Sequence, residues 1–339
     1  MEVFFLDVSQ GTCQVILLGA RRAIVIDCGT SKDRTVLHFL RRMGIEQVAC
    51  LVVSHSHDDH SGAAVAILGE YQDRIDRICF VQDNQFLQSA FWLRISDLLK
   101  AEILKRNQLV RLEVADRPQL VWEDPSHRAQ LRTFSPLAAE NLLAQEAGKQ
   151  NPTSAVLFLD VNARRVMFAA DSEVSQWKEI RHSAGQRLPC DIHAVPHHGG
   201  AIASTEEELG WLLDKAIAAK VAIVSVGTSN THGHPRAEVI QAITARGITV
   251  MCTQITRQCS DDLEALRPGV LQPITILGRS SQTRDVTRSG NSRNVACAGS
   301  VRAVFTNDNL VIDRFDHHQH AVDDLANSAS GHPLCRARS

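Results

Sequence analysis

Val48-Ala49-Cys50-Leu51-Val52-Val53-Ser54-His55-Ser56-His57-Asp58-Asp59-His60-Ser61-Gly62 decides how this chain is read. Val48 to Val53 is an apolar run that reads as a buried strand, and Ser61 to Leu68 reads as a helix. Three histidines and two aspartates therefore fall on a strand-to-helix loop. In an extended loop, residues two apart point the same way, so His55 and His57 can converge on one ion. Asp59 and His60, at the helix start, can face a second. Imidazoles and a carboxylate suit zinc, manganese or iron and leave positions open for water.

Toward the N-terminus, Val3 to Val8 reads as a strand and Ser9-Gln10-Gly11-Thr12 as a turn. Gln14 to Leu18 and Ala23 to Asp27 read as a hairpin. Asp33 is placed to cap a helix from Arg34 to Met43, closed by Gly44. Toward the C-terminus, Ile78 to Gln82 reads as a strand and Phe86 to Leu104 as a long amphipathic helix. Short strands follow at 109–114, 119–122 and 130–134, with a helix from Leu137 to Gln145. Ala155 to Leu159 and Val166 to Ala170 are strands that lead into Asp171. A helix follows over 173–181, and a short strand ends in His197-His198-Gly199-Gly200, whose glycines permit close backbone approach to a ligand. Helices are expected over 205–220 and 237–245, with strands at 221–226 and 248–252.

The pattern His-x-His-x-Asp-His resembles the second motif of the metallo-β-lactamase superfamily, whose members typically bind two metal ions. Phe5-Leu6-Asp7-Val8-Ser9-Gln10-Gly11 is similar to the "DVGQG" start of the metallo-β-lactamase domains of ComEC-type competence proteins. Ile24-Val25-Ile26-Asp27-Cys28-Gly29 is similar to their "LIDTG". Asn151 to Asp171 resembles their "N-x-x-S-x-V-L … L-L-T-G-D" segment, with Ala170 where glycine is usual. Val195 to Gly200 resembles "V-x-H-H-G-S". Ser225 to Pro235 resembles "S-V-G-x-N-x-Y-G-H-P", with His232 where tyrosine is common. The resemblance covers about the first three quarters of the chain.

The resemblance implies an α/β fold, the four-layer αβ/βα sandwich: two mixed sheets face to face, helices outside, metals at one edge. It implies two divalent ions, zinc or manganese, held by His55, His57, Asp59, His60, Asp171 and the pair His197 and His198. Asp171 bridges them, since its two oxygens can serve both. One of His197 and His198 ligates the second metal; which one is left open. Asp27 steadies the metal loop from behind, and Asp58 either orients water or supports the loop. Asp59, His234 and Asn230 are expected at the chemistry. His127, the only histidine between His60 and Asp171, is a candidate for a further ligand. The activity implied is metal-dependent hydrolysis, with ComEC-like motifs pointing to a phosphodiesterase or nuclease acting on nucleic acid. The alternatives are a small-molecule hydrolase (of a lactone, thioester or phosphocholine-type ester) and a non-catalytic metal-binding module.

A chain of 339 residues with formal charge −2 and 22% charged residues is a globular protein whose bulk charge selects no partner. No apolar stretch of about 18 residues exists, so no membrane span is expected. The start of the sequence lacks a basic segment and cleavage site, so the expected location is the cytoplasm. Nine cysteines there are expected free or metal-bound. The organisation expected is a catalytic domain over 1–253 and a C-terminal extension over 254–339. The extension contains a polar, basic loop from Arg279 to Asn294 and a terminal hairpin, Gly299 to Phe305 with Leu310 to Phe315. Cys335 sits in a polar tail where packing gives little reason for a thiol. Cys252, Cys259, Cys297 and Cys335 could form a closed structural zinc site, with His332 as a spare ligand; unrelated buried or free thiols are the alternative.

Overall fold

The computed structural model describes residues 1–19, 21–184, 188–228, 230–263, 275–276, 279–280, 295–306, 309–313 and 315–336. In chain order the first half runs β1 (Glu2–Phe5), β2 (Gln14–Leu17), β3 (Arg22–Ile26), α1 (Thr35–Arg42), β4 (Gln47–Val53), α2 (Asp58–Ser61), α3 (Ala64–Tyr71), β5 (Ile78–Phe80), α4 (Ala90–Lys100) and β6 (Leu109–Arg111). The second runs β7 (Gln119–Asp124), β8 (Ala129–Ser135), α5 (Ala138–Glu146), β9 (Val156–Val161), β10 (Arg164–Phe168), α6 (Val174–Ala184), β11 (Ile192–Ala194), α7 (Glu206–Trp211), β12 (Val221–Val224), α8 (Ala237–Thr244) and β13 (Thr249–Cys252). β14 (Val301–Phe305), β15 (Leu310–Ile312) and α9 (Phe315–Ala326) follow.

One sheet has eight strands in the order β15-β14-β1-β2-β3-β4-β5-β6, and the other seven, β13-β12-β11-β10-β9-β8-β7. Alternation along the strands explains how they stack. Ile24 and Ile26 of β3 point inward, to a core shared with Leu157, Val166, Ile192 and Ile223 of the other sheet. Val25, between them, points outward to Val36, Leu40, Ile67 and Ile95 of the covering helices. On the far side, Phe158 and Met167 meet Trp177, Leu209, Ile240 and Leu325. The result is the four-layer α/β sandwich. β4 reads as a continuous apolar run because helices cover one of its faces and the second sheet the other. Each such fully buried branched side chain contributes about 1.5–3 kcal/mol relative to exposure.

Three expectations need correction. The helix expected over 86–104 is shorter: Ser89 caps it, its hydroxyl accepting from Trp92 N at 3.1 Å, and it ends at Lys100. The helix expected over 205–220 leaves α-geometry after Trp211, because Ile217 and Ala218 pair as strand with Leu188 and Pro189. α9 was not anticipated; its polar histidines and aspartates mask a stripe of Ala321, Val322 and Leu325 that is buried.

The described residues after 253 pack against both sheets. β14 pairs antiparallel with β1, Phe5 opposite Val301, and forms the anticipated hairpin with β15. α9 lies on the second sheet's outer face. The basic loop from Arg279 to Asn294 lies outside the described residues apart from 279–280. Among the described residues, no helix is long and apolar enough to cross a membrane.

Candidate metal centre

Strand direction brings the histidines and aspartates together. β3 and β4 are parallel, with Ile26 opposite Val52. β10, β11 and β12 are parallel, with Phe168 opposite Ala194 and Ala194 opposite Ile223. The segments leaving these carboxyl ends carry Asp27, 54–60, Asp171, His197 and His198, and 227–234, so all emerge at one edge between the sheets.

Two groups of three side chains face each other there. His55, His57 and Asp171 form one, and Asp59, His60 and His198 the other; within each, the potential ligand atoms all lie within 4.8 Å of one another. His55 Nε2 is 3.0 Å from His57 Nδ1 and 3.9 Å from Asp171 Oδ2. His198 Nε2 is 3.2 Å from Asp59 Oδ2. Asp171 Oδ1 is 3.0 Å from His60 Nε2 and 3.6 Å from His198 Nε2. One oxygen of Asp171 thus faces each group.

The contacts behind the ring nitrogens decide what those nitrogens can do. Asp27 Oδ2 accepts from His60 Nδ1 at 2.7 Å, while its carboxylate also accepts from Ser54 N and Ser54 Oγ. The Ser225 carbonyl accepts from His198 Nδ1 at 2.8 Å. With Nδ1 donating, Nε2 of each neutral ring carries a lone pair. Both lone pairs face carboxylate oxygens, which also only accept. His60 Nε2, His198 Nε2 and Asp171 Oδ1 are buried without hydrogen-bond partners. Acceptors crowded against acceptors call for a cation between them, so the donor set fits divalent metal.

Charge follows the same logic. Burial opposes charge on His60, but Asp171, Asp27 and Asp59 outweigh it and push its pKa up: their negative charge draws a proton to this ring, the same pull that a divalent cation would satisfy. Burial would raise Asp59, yet His60 and His198 hold it well below the usual carboxylate range. His55, buried and next to His60, is pushed down toward the neutral, ligating form.

The backbone turns sharply to present these groups. Asp27, Ala170, His197 and His198 all have left-handed φ, at 53°, 45°, 50° and 53°. Glycine is the cheap residue at such a position, which accounts for its being usual where this chain has Ala170. Two successive left-handed histidines send His198 into the buried group and leave His197 half-buried, with Nε2 3.9 Å from Asp171 Oδ2.

His234 joins this edge, its ring 5.1 Å from that of His197. Gly200 makes room for it, since a Cβ there would lie 2.6 Å from His234 Cε1. Asn230, expected to line the active site, is hydrogen-bonded to the backbone of its own loop. Its amide donates to the Gly227 and His234 carbonyls and its oxygen accepts from His234 N, so it holds the loop that carries His234. Asp58 accepts from Ser31 N at 3.3 Å and ties the metal loop to the segment after Asp27. His127 pairs with Asp124 at 2.7 Å in an exposed turn and joins neither group.

Sequence reading missed Asp83. This buried carboxylate accepts from Ser56 N and Ser56 Oγ, both at 2.8 Å, and from Gln85 N at 2.9 Å, fixing the residue between His55 and His57. The only sequence signal was an aspartate just after strand β5.

Cys252, the first of the four cysteines expected to hold zinc, interacts with Cys335, Cys297 and Cys259, but no three of these sulfurs lie within 4.8 Å of one another. Among the described residues, the histidine–aspartate groups alone bring three potential ligand atoms within 4.8 Å of one another. Cys259 is used differently: its sulfur accepts from Leu334 N and its carbonyl from His332 N.

Residues 6–77 match the family model described as Metallo-beta-lactamase superfamily. Over 279 residues the chain is 23% identical to ComE operon protein 3 of Bacillus subtilis (strain 168), covering 74% of this chain and 32% of that protein. Among solved structures it is similar to Igni18, a metallo hydrolase from the hyperthermophilic archaeon Ignicoccus hospitalis. That match is 13% identical, covers 74% of this chain and 95% of the other, and has a TM-score of 0.45. It is also similar to the metallo-beta-lactamase fold protein YhfI from Bacillus subtilis, 13% identical over 74% and 95% of the two chains, with a TM-score of 0.44.

Proposed function

Because this chain carries a metallo-β-lactamase superfamily domain, we propose that it is a dinuclear metal-dependent hydrolase that cleaves phosphodiesters, with nucleic acid as the substrate class. The observation that carries the metal part is Asp171, one oxygen of which faces each three-residue group. His55 and His57 with Asp171 would hold one divalent ion, zinc or manganese, and Asp59, His60 and His198 with Asp171 the other. Bound there, the ions would supply an acidified water and polarise a phosphoryl oxygen.

The chain's own residues do the rest. Asp59, held ionised, accepts a hydrogen bond from the attacking water. Asp27, Ser54 and Ser225 keep the ligand imidazoles in the ligating tautomer. His234, pushed down to about 4 by burial and the neighbouring His197 and His198, is neutral and donates one hydrogen bond to the developing charge. Asn230 and Gly200 hold that ring in place.

The phosphodiester reading is supported by the motif resemblance over 225–235 and by the likeness to ComE operon protein 3. One observation favours a small-molecule ester instead. A cavity of about 570 Å³, lined by residues that follow the ligand loops, carries Glu173, Glu206 and Glu238 beside a single guanidinium, Arg236. A long polyanion prefers the reverse balance. The cytoplasm is the compartment proposed, on nine unpaired cysteines.

Labelled single- and double-stranded DNA, RNA, bis-p-nitrophenyl phosphate, a lactone, a thioester and a β-lactam, each with manganese or zinc, test the reading. Cleavage of the phosphodiesters and not the β-lactam is expected. Turnover of the lactone or thioester orders of magnitude faster than any phosphodiester would overturn the substrate class and leave the metal site standing.

A further inference from the structure

The C-terminal segment carries a second chemical centre, far along the chain from the metal ligands. The tail is seated by backbone pairing: Gly331 bridges antiparallel to Ser260, and His332 N donates to the Cys259 carbonyl at 2.8 Å. Gly331 passes so close to the end of α9 that a Cβ would lie 1.8 Å from the Leu325 carbonyl oxygen. This path delivers Cys335 to two other thiols. Cys252 closes β13, and Cys297 lies beside it, since Ala298 N donates to the Cys252 carbonyl at 2.9 Å.

Cys335 sits between them. Its sulfur is 3.5 Å from His318 Nε2 on α9, and both Cys252 and Cys297 are its thiol neighbours. Cys252 and Cys297 are buried, whereas Cys335 is partly exposed. A surface cavity of about 620 Å³ opens onto Cys335 and His318, between α9 and the strand that ends in Cys252. A nucleophile with an imidazole beside it, two thiols next to it and a cavity lined by its own residue is the arrangement of a redox-responsive cysteine.

We propose that Cys335 is a thiol–disulfide exchange site: its sulfur attacks a small-molecule disulfide that enters through this cavity, and Cys252 or Cys297 resolves the adduct. In the first step the Cys335 thiolate attacks one sulfur of the small disulfide. A protein–small-molecule S–S bond forms, the small disulfide's own S–S bond breaks, and one small thiol leaves. In the second, the thiolate of Cys297 or Cys252 attacks Sγ of Cys335, and the second small thiol leaves. The two protein thiols lose two electrons and two protons, and the small disulfide takes up both. The protein disulfide staples the tail to β13 or to the adjoining 295–298 segment.

The electrostatics run the same way. Hydrogen bonds from Cys252, Cys297 and His318 hold the Cys335 thiol well below its ordinary pKa, while its neighbour Cys252 is pushed up beside it and by burial. The attacking and resolving roles are thereby separated. The staple would also touch the candidate active edge. Thr253, next to Cys252, accepts from Val226 N, and Thr228 Oγ1 accepts from Val295 N, so both resolving segments carry the loop that leads to His234.

The test uses the full reduced chain. Brief iodoacetamide labelling should modify Cys335 at least about tenfold faster than any other cysteine, and His318→Gln should slow it several-fold. Incubation with oxidised glutathione, trapping with N-ethylmaleimide and peptide mass mapping should find Cys335 linked to Cys252 or Cys297. In Cys335→Ser, Cys252 and Cys297 should stay reduced. Labelling of Cys335 no faster than buried Cys190, or arrest at the glutathione adduct, overturns the proposal. So does tightly held zinc that must be removed before Cys335 reacts, which would make the cluster a metal site. Should either variant fail to fold, the wild-type rates and map decide alone.

Discussion

His60 Nδ1 lies 2.7 Å from Asp27 Oδ2, across 33 residues of chain, and this one contact determines which ring nitrogen faces Asp171. A carboxylate behind a ligand imidazole fixes its tautomer and strengthens it as a base.

Asp27→Asn should therefore weaken metal binding by about 10–100-fold while leaving the fold intact. Competition against a chromophoric chelator measures it, with circular dichroism as the control. Unchanged affinity would show that His60 needs no such partner.

Asp171 faces both groups, so its loss should cost stoichiometry rather than affinity alone. Wild-type protein should hold two ions, about 3.5–4 Å apart by anomalous scattering, and Asp171→Asn one or none. Asp59→Ala should abolish hydrolysis in metal-replete buffer. A single ion in the wild type, or turnover by the Asp59 variant, would place the chemistry elsewhere.

Gly200→Ala introduces a Cβ 2.6 Å from His234 Cε1 and 2.7 Å from its Nε2. The ring must move, and kcat should fall by up to about 100-fold with metal content unchanged. His234→Ala should cost a similar factor, and the double variant no more than either. Additive losses would mean that Gly200 acts on something other than this ring.

Asp83→Ala leaves Ser56 N and Gln85 N without their buried acceptor. The expected loss is on the order of 2–3 kcal/mol by urea denaturation. Metal affinity should fall as well, since Ser56 stands between His55 and His57. A variant as stable as the wild type would make Asp83 a bystander.

His193, on β11 and buried, is driven by burial from the ordinary 6.5 down to about 3. Its folded pKa lies below its unfolded one, so its contribution is complete above pH 6.5. As the pH falls from there toward 3, the unfolded chain binds a proton that the folded chain refuses. Stability drops at about 1.4 kcal/mol per pH unit over that window. His193→Gln should flatten the slope, by about 2 kcal/mol between pH 6.5 and 5; parallel curves for the two proteins would refute the assignment.

The sequence by itself determined the local pieces. His55 to His60 were readable as a cluster of potential ligand atoms because a buried strand, an extended loop and a helix start lie within a dozen residues. Local spacing suffices to say which of those side chains point together. The hairpins and most helices were legible for the same reason, as was Asp171 from the strand before it; Asp33 accepts from Thr35 N, but the N-cap of that helix is Arg34. What only the tertiary structure decided are relations between segments far apart in sequence. It is the order and direction of parallel strands, joined by crossovers of variable length, that place Asp27 behind His60 and Asp83 behind Ser56. Two left-handed turns, invisible in composition, choose His198 over His197 for the buried group. That Asn230 braces the loop carrying His234 is visible only from its backbone partners. Cys335 reaches Cys252 and Cys297 only because the tail pairs with Ser260 and passes the end of α9 at a glycine. Local chemistry is written in neighbouring residues; the partner of a buried polar atom is set by register and packing, which no single segment encodes.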